Sequence, residues 1–466
     1  MSTTIVPDTH TLIPPKFLKT AQWSGYPNPR WEKKDKHKVT VLFSFVERRK
    51  SLFLGAFFKR RGYKYIDLGD HVKEDVRWGK EYGNRMECNP MYFTSGALIR
   101  NLFKLMHETG LSKQEIAEKY IFLGGGGQCG PCRYGMYPQE YLKVVNDAGF
   151  KGFRILIFSS DIAPDPQTIG SALPLKLAFK IHAALGVIFA DLLHIAECAL
   201  RPYAADKAAA METIRTCENI IFNAFSSKLY PIKLIFALKK AGRLLAAVRR
   251  VPRNLPRIFV TGEFFANLAH NDGNYNLRRF IMDEGCEVYP GSFTQRILYD
   301  NWRRMTEAKR GITYAGSKKE LKKWKSFLRR QGYSSSMVRW FYKKTVSLMR
   351  PEMWGGRTAI LDLDEMARIG GNFYHPEIFG GESNLEVAEA IHYADEADGF
   401  ISSKPFGCMP SSGVSDGVQA KIMSMYPGLN FLSIETSGDN EVSILSRVSM
   451  LIFKAREKAA KRFSNA

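Results

Sequence analysis

Short apolar runs alternate with helical periodicity along most of this chain, and few folds accommodate that alternation. VTVLFSF (39–45), YKYIDLGD (63–70), KYIFLGG (119–125) and FRILIFSSD (153–161) are rich in β-branched and aromatic residues with little in/out alternation. Strands that read this way are covered on both faces. Between them, RKSLFLGAFFKRRGY, FTSGALIRNLFKLMHETG, LSKQEIAEKY and YPQEYLKVVNDAGF repeat with helical spacing. Boundary signals agree. Ser112 and Glu115 have the capping-box spacing, Pro138 falls in a first helical turn, and Gly149 closes that helix. This β-α-β rhythm predicts a parallel, doubly wound sheet.

The rhythm stops and then restarts. Residues 166–250 read as helix with no strand. RIFVTGEF (257–264) resumes the pattern, followed by the strands CEVYPGSF, DGFISSKPFGC and NFLSIETSG. Helices are expected at 274–284, 384–397, 414–428 and 440–462, and long basic helices over 294–370. The expected fold class is therefore α/β: two Rossmann-like parallel-sheet lobes with a helical middle region. The expected boundaries are an N-terminal arm (1–36), a first lobe (37–165), the helical region (166–250) and a second lobe with a basic helical insertion (251–466). No repeat of fixed period is visible.

GGGGQCGPCRYGMYPQEY (124–141) sets four glycines beside Cys129 and Cys132. A phosphate would want the glycines alone. A metal would want the thiols, with the glycines giving room. Seven cysteines without a secretory leader do not read as a disulfide framework. Cys198, Cys217 and Cys286 lie where small buried thiols are common. Cys88 (MECNP), Cys129, Cys132 and Cys408 (PFGCMPSSG) lie in Gly- or Pro-rich turns instead. Three of these four fall at or just past the carboxyl ends of expected strands, where open α/β sheets carry functional loops. Cys88, Cys129 and Cys132 belong to the first lobe and Cys408 to the second, so a cleft between lobes would gather them. The readings left open are an iron–sulfur cluster, a zinc site, a thioredoxin-like redox pair and plain structural thiols. A cluster tolerates dispersed cysteines best. Zinc usually wants a second close pair, and a redox pair opens its helix directly.

The formal net charge is +22. It is concentrated in residues 228–257 and 302–345. Such a field favours an anionic partner: nucleic acid, a phosphate-bearing molecule, an acidic protein or a membrane surface. Solvated helix faces are the plain alternative. No nucleic-acid-binding motif accompanies the charge. The most apolar stretch, 172–200, is interrupted by Lys176, Lys180, His182, Asp191 and His194 and is not expected to span a membrane. The expected location is cytoplasmic.

ECNPMYFTSG, GPCRYGMYPQEY, RPYA, VTGEFF with a following N-x-x-L-R-R-F and Gly-Cys-Glu-Val, and PFGCMPSSG occur in this order. Together they resemble the 2-hydroxyacyl-CoA dehydratase, benzoyl-CoA reductase and double-cubane-cluster protein superfamily. Within it they look most like the acyl-CoA dehydratase activase-related branch, also called CoA protein activase. The likeness runs from about residue 39 to 460. It implies Rossmann-like lobes holding an iron–sulfur cluster, [4Fe-4S] by expectation, through about three cysteines. By position these are Cys88, Cys132 and Cys408, with Cys129 as a candidate fourth. Three thiolates leave one iron open, and four close the cluster for electron transfer. The resemblance also implies a partner: a separate ATP-hydrolysing activator, with its own cluster, that injects a low-potential electron. Catalytic members use it to reduce a CoA thioester and eliminate water. This chain has no ATP-binding portion of that type and no six well-placed cysteines for a double cubane.

The expected function is thus an iron–sulfur redox protein, an oxidoreductase or electron carrier acting on a CoA thioester or another hard-to-reduce substrate. Self-association as a dimer is left open. The alternative is a non-redox binding or assembly protein with a structural zinc or no metal, using its basic helices on an anionic partner. Arg133 could neutralise a cluster or form a surface salt bridge. Glu263 could face the cleft or serve the backbone. For Lys404 simple solvation is expected, and for His270, His375 and His392 ordinary polar roles.

Overall fold

The computed structural model describes residue 26 and residues 28–127, 131–158, 172–173, 177–358, 360–378 and 381–464. Cys129, most of the N-terminal arm and the chain over 159–171 lie outside these.

Among the described residues, eight strands form two four-stranded, all-parallel sheets. In the first, β1 (Thr40–Phe43), β2 (Lys64–Asp67), β3 (Tyr120–Gly125) and β4 (Arg154–Phe158) lie in the order β2-β1-β3-β4. In the second, β5 (Arg257–Gly262), β6 (Glu287–Val288), β7 (Gly399–Pro405) and β8 (Phe431–Thr436) lie in the order β6-β5-β7-β8. The two orders match position for position. In each the winding reverses between the first and third strands, β1/β3 and β5/β7, which is where such sheets open a crevice. The expected α/β class, with two Rossmann-like lobes, is what the chain adopts.

The central strands β1, β3, β5 and β7 are covered on both faces, which is why they read as near-continuous apolar runs. Val41, Phe43, Ile121 and Leu123 point to one face of the first sheet and Leu42, Phe122 and Ile155 to the other. The helices of this lobe are α1 (Arg48–Arg61), α2 (Lys73–Tyr82), α3 (Asn89–Thr109), α4 (Lys113–Lys119) and α5 (Tyr137–Asp147). The Ser112–Glu115 capping box is formed, each side chain accepting from the other's backbone N–H. Between the lobes run α6 (Leu177–Leu200), α7 (Lys207–Ser226) and α8 (Tyr230–Ala246). The second lobe carries α9 (Phe264–Leu268), α10 (Leu277–Asp283), α11 (Phe293–Thr313), α12 (Lys318–Met349), α13 (Leu363–Gly370) and α14 (Ser383–His392). It ends with α15 (Asp416–Met425) and α16 (Glu441–Ser464).

Several elements differ from the sequence reading. The helix α2 was not expected. Only Asp75, Val76 and Gly79 of its ten residues are buried, so it shows no apolar stripe. The helix α3 starts at Asn89, four residues earlier than expected, with Pro90 in its first turn. The strand expected at 286–293 shrinks to Glu287–Val288, because Pro290 has no N–H for the ladder. The basic insertion does not stand with the second lobe alone. Tyr342 and Met349 of α12 join Phe53 of α1, Ile188 and Leu192 of α6, and Leu238 of α8 in one core. The helix α6 is long and apolar enough to cross a bilayer, but 89% of its most apolar window is buried within the protein.

Candidate functional site

The carboxyl ends of the two sheets face each other. Asn89 N–H donates to Phe406 O at 3.0 Å, and Asn271 Nδ2 donates to Val46 O at 3.1 Å. Lys73 N–H donates to Asp272 Oδ2 at 2.9 Å. Between them lies a cavity of about 820 Å³. That is toward the upper end of the roughly 300–1,000 Å³ usual for ligand pockets. Cys88, Cys132 and Cys408 all line it.

Each thiol is set by local structure. Cys132 follows β3, and Cys408 follows β7, its topological equivalent in the other lobe. Cys88 does not follow a strand; it sits in the turn between α2 and α3, just before a helix, and is the one of the four that the sequence did not place at a strand end. Cys88 is the N-cap of α3, Cys132 precedes the short 3-10 turn Arg133–Gly135, and Cys408 immediately precedes a helical turn at Met409. The first N–H groups of a helix lack intrahelical partners and carry its partial positive charge. Three such starts border one cavity. After Cys408 the helix passes through a π-turn at Ser411–Ser415 before α15, a feature frequent at functional sites.

The two cysteine motifs touch. Gly407 has φ of +77°, a conformation that favours glycine, and a Cβ there would lie 3.2 Å from the Cys88 Cα. Arg133 donates from Nε to Gly407 O at 3.2 Å and lies 3.8 Å from Met409 Sδ. Arg133 thus clasps the loop of the opposite lobe rather than forming a surface salt bridge. Lys404 is not merely solvated: it pairs with Asp416.

Burial pushes the Cys88 thiol up to about 11, against the pull of the Tyr137 hydroxyl at 3.2 Å. Burial raises Cys408 further, and Glu263 and Glu386 add to it. The Cys408 thiol donates to Ser411 Oγ at 3.3 Å, and Ser411 donates on to Glu386 at 3.0 Å. Glu386 is also bonded by Ser415. Burial raises Glu386 as well, and pushes Glu263 up to about 7. Glu263 serves the backbone while also bordering the cleft. It lines the cavity, and its Oε2 accepts from Phe265 N–H (2.9 Å) and Ala266 N–H (3.1 Å), capping α9.

Sequence reasoning missed one wall. Phe293, Arg296, Ile297, Asp300, Asn301 and Arg304 of α11 all line the cavity. Their spacing marks a single helix face. Four polar residues among them at the positions of an apolar stripe were the available signal. The Asn301 Nδ2 is buried without a hydrogen-bond partner among the described residues. Glu386, from α14, was missed too; it reads as an ordinary helix carboxylate. Gly124, Gly125 and Gly127 line the wall beside Cys132. Cys198, Cys217 and Cys286 are buried in core clusters as expected. His270 lies against His194 in the interior, ring centroids 4.2 Å apart and tilted at 48°, away from the thiols' cavity lining.

Among the described residues no three His, Cys, Asp or Glu side chains are gathered to hold a single metal ion, and Cys129 lies outside them. Three thiols from separate segments, each just before a helix or 3-10 turn, border the cavity, and thiolates are the usual ligands of iron–sulfur clusters. No family model matches the chain, and no curated protein matches its sequence.

Proposed function

We propose that this chain is an iron–sulfur redox protein, with Cys88, Cys132 and Cys408 as cluster ligands. It receives low-potential electrons from a separate ATP-hydrolysing activator and delivers them to a CoA thioester or another hard-to-reduce substrate. The observation that carries this reading is the convergence of three cysteines, distant in sequence, on one cavity at the facing switch points of two lobes. Nothing in ordinary packing requires the motif loops of both lobes to meet there. When bound, a cluster would supply single electrons at low potential.

The chain's own residues supply the rest. The helix starts at Asn89, Arg133 and Met409 offset negative charge at the thiolates. Arg133 adds a full positive charge and holds the PFGCMP loop in place. Thiols raised by burial stay protonated until a cation displaces the proton, so metal loading releases protons. Cys408, Ser411 and Glu386 form a path for one of them. Glu263, held through Oε2, keeps Oε1 for a proton that can meet a reduced substrate. The apolar walls, Phe43, Phe45, Phe122 and Phe293 among them, keep water from this chemistry. Lys180 and Arg330 bring positive charge to the helical side of the same cavity, matching an anionic substrate.

Purification without oxygen should give a brown protein with about four irons and four labile sulfides per chain. Reduction should produce a cluster EPR signal. Cys88→Ser, Cys132→Ser and Cys408→Ser should each lose most of the iron, whereas Cys286→Ser should keep it. Cys129→Ser separates three-thiolate from four-thiolate ligation. A colourless protein with zinc, or with no metal after reconstitution with iron and sulfide, would end this reading.

A further inference from the structure

The strongest unexplained surface lies on the helical layer, away from the thiol cavity. Between Asn219 and Gly262 the chain has nine lysines and arginines and no aspartate or glutamate. Within this stretch, α8 buries Leu234, Ala237, Leu238, Ala241 and Leu245 against its neighbours. Its outer side is not simply charged. Leu229 is 62% exposed, Ile232 61%, Ile235 43% and Phe236 68%. Leu229, Ile232 and Phe236 fall on one stripe by helical spacing, with Arg243 further along it. Lys233 and Lys240 flank the stripe on one side and Lys239 on the other, and Lys228 sits just before it. Among the described residues no carboxylate pairs with these cations.

A helix with large apolar side chains along the middle of its exposed face and cations on both flanks fits one kind of surface well. It can lie in the headgroup plane of a bilayer, sink the apolar stripe among the acyl chains, and place its lysines on anionic headgroups. Other occupants fit less well. A second copy related by two-fold symmetry would bring the same acid-free face against itself, cation to cation. A nucleic acid would meet the cations only past a ridge of Leu, Ile and Phe that it cannot solvate.

We infer that the outer face of α8 docks the protein, peripherally and reversibly, on an anionic lipid bilayer. This inference does not depend on the cysteines carrying a cluster.

Flotation tests it. The intact protein is mixed with phosphatidylcholine vesicles, with and without phosphatidylglycerol, and spun through a density gradient. The protein should float with the phosphatidylglycerol vesicles, much less with phosphatidylcholine alone, and salt should weaken the association. Ile232→Ser with Phe236→Ser, both exposed, should weaken it at least about tenfold, because two large side chains lose their burial. Lys239→Glu with Lys240→Glu should abolish the preference for phosphatidylglycerol. Each variant should melt like the parent, because neither set touches the core. No flotation with either vesicle overturns the inference. So does flotation that the serine variant leaves unchanged, which would mean bare charge adsorption. A stable dimer that the serine variant dissociates, without vesicle binding, would instead assign the face to self-association.

Discussion

Glu263 shows how one residue couples the cleft to the solution. Its folded pKa, about 7 through burial, stands above the ordinary value of 4.5. Between those values the folded chain holds a proton that the unfolded chain has lost. Stability therefore falls as pH rises from about 4.5 to about 7, and stays low above that. Glu263→Gln cannot ionise, yet its amide oxygen can still accept from Phe265 and Ala266. It should match the parent near pH 4.5 and exceed it in mildly alkaline buffer, by no more than about 3 kcal/mol. Denaturant melts of the two proteins at both pH values measure this, and an equal gap at both would remove the raised carboxyl from the account. Asn301 makes a second case. A buried amide donor without a partner costs about 1–3 kcal/mol, so Asn301→Leu should be neutral or stabilising in a urea melt. A loss of more than about 1 kcal/mol would mean that Asn301 is satisfied after all. The sequence pointed to Glu263 because it ends a strand. It hid Asn301 and Glu386, whose importance comes only from which helix face meets the other lobe.

Elements place the thiols more than the thiols' own neighbours do. The α2–α3 pair holds Cys88 at its turn, and Gly96 of α3 lies against the backbone of Asp75 and Gly79, leaving no room for a Cβ. Gly407 plays the same part between lobes. An alanine there would be strained at φ of +77° and would press on Glu87 and Cys88. Gly407→Ala should lower stability by about 1–2 kcal/mol and reduce iron per chain. Gly413→Ala, which meets open space, should do neither. Full iron loading in Gly407→Ala would show that this contact does not set the spacing of Cys88 and Cys408. At this scale most of the fold was legible. Seven of the eight strands stand where continuous apolar runs announced them, because a sheet covered on both faces leaves that mark in sequence. The exceptions have physical causes. The helix α2 is amphipathic over too few residues to show a stripe, and β6 is cut short by Pro290. The turn carrying Cys88 is a loop, as the sequence suggested; what stayed hidden is the packing of the helices that flank it, glycine against backbone, which has no periodicity.

The molecule as a whole is two lobes of one topology clamped by a helical layer. The shared strand order left no repeat in the sequence, because order in a sheet lives in hydrogen-bond partners and not in spacing along the chain. What joins the parts is a buried ionic network that sequence reading did not identify. Glu197 of α6 accepts from Arg49 of α1 at 2.7 Å and from Arg279 of α10 at 3.0 Å. Arg49 also reaches Glu218 of α7 at 3.2 Å. One carboxylate therefore ties the first lobe, the helical layer and the second lobe together. Burial alone would raise its pKa, but Arg49 and Arg279 more than offset that and hold it at about 2. A folded pKa below the unfolded 4.5 stabilises above that value and is lost as pH falls toward about 2. Removing Glu197 leaves Arg49 buried with one partner fewer, a loss of about 3–5 kcal/mol. Because the loss falls where the parts meet, Glu197→Ala should do more than lower the midpoint of a urea melt at neutral pH. It should split the melt so that the lobes open in separate steps, visible when tryptophan fluorescence and far-ultraviolet circular dichroism no longer coincide. The gap between the parent and Glu197→Gln should also narrow as pH falls below 4.5. A single, unshifted transition in Glu197→Ala would mean that the lobes are held together by their apolar contacts, Phe45 on Phe293 and His71 on Phe265 among them, with the ion network contributing little.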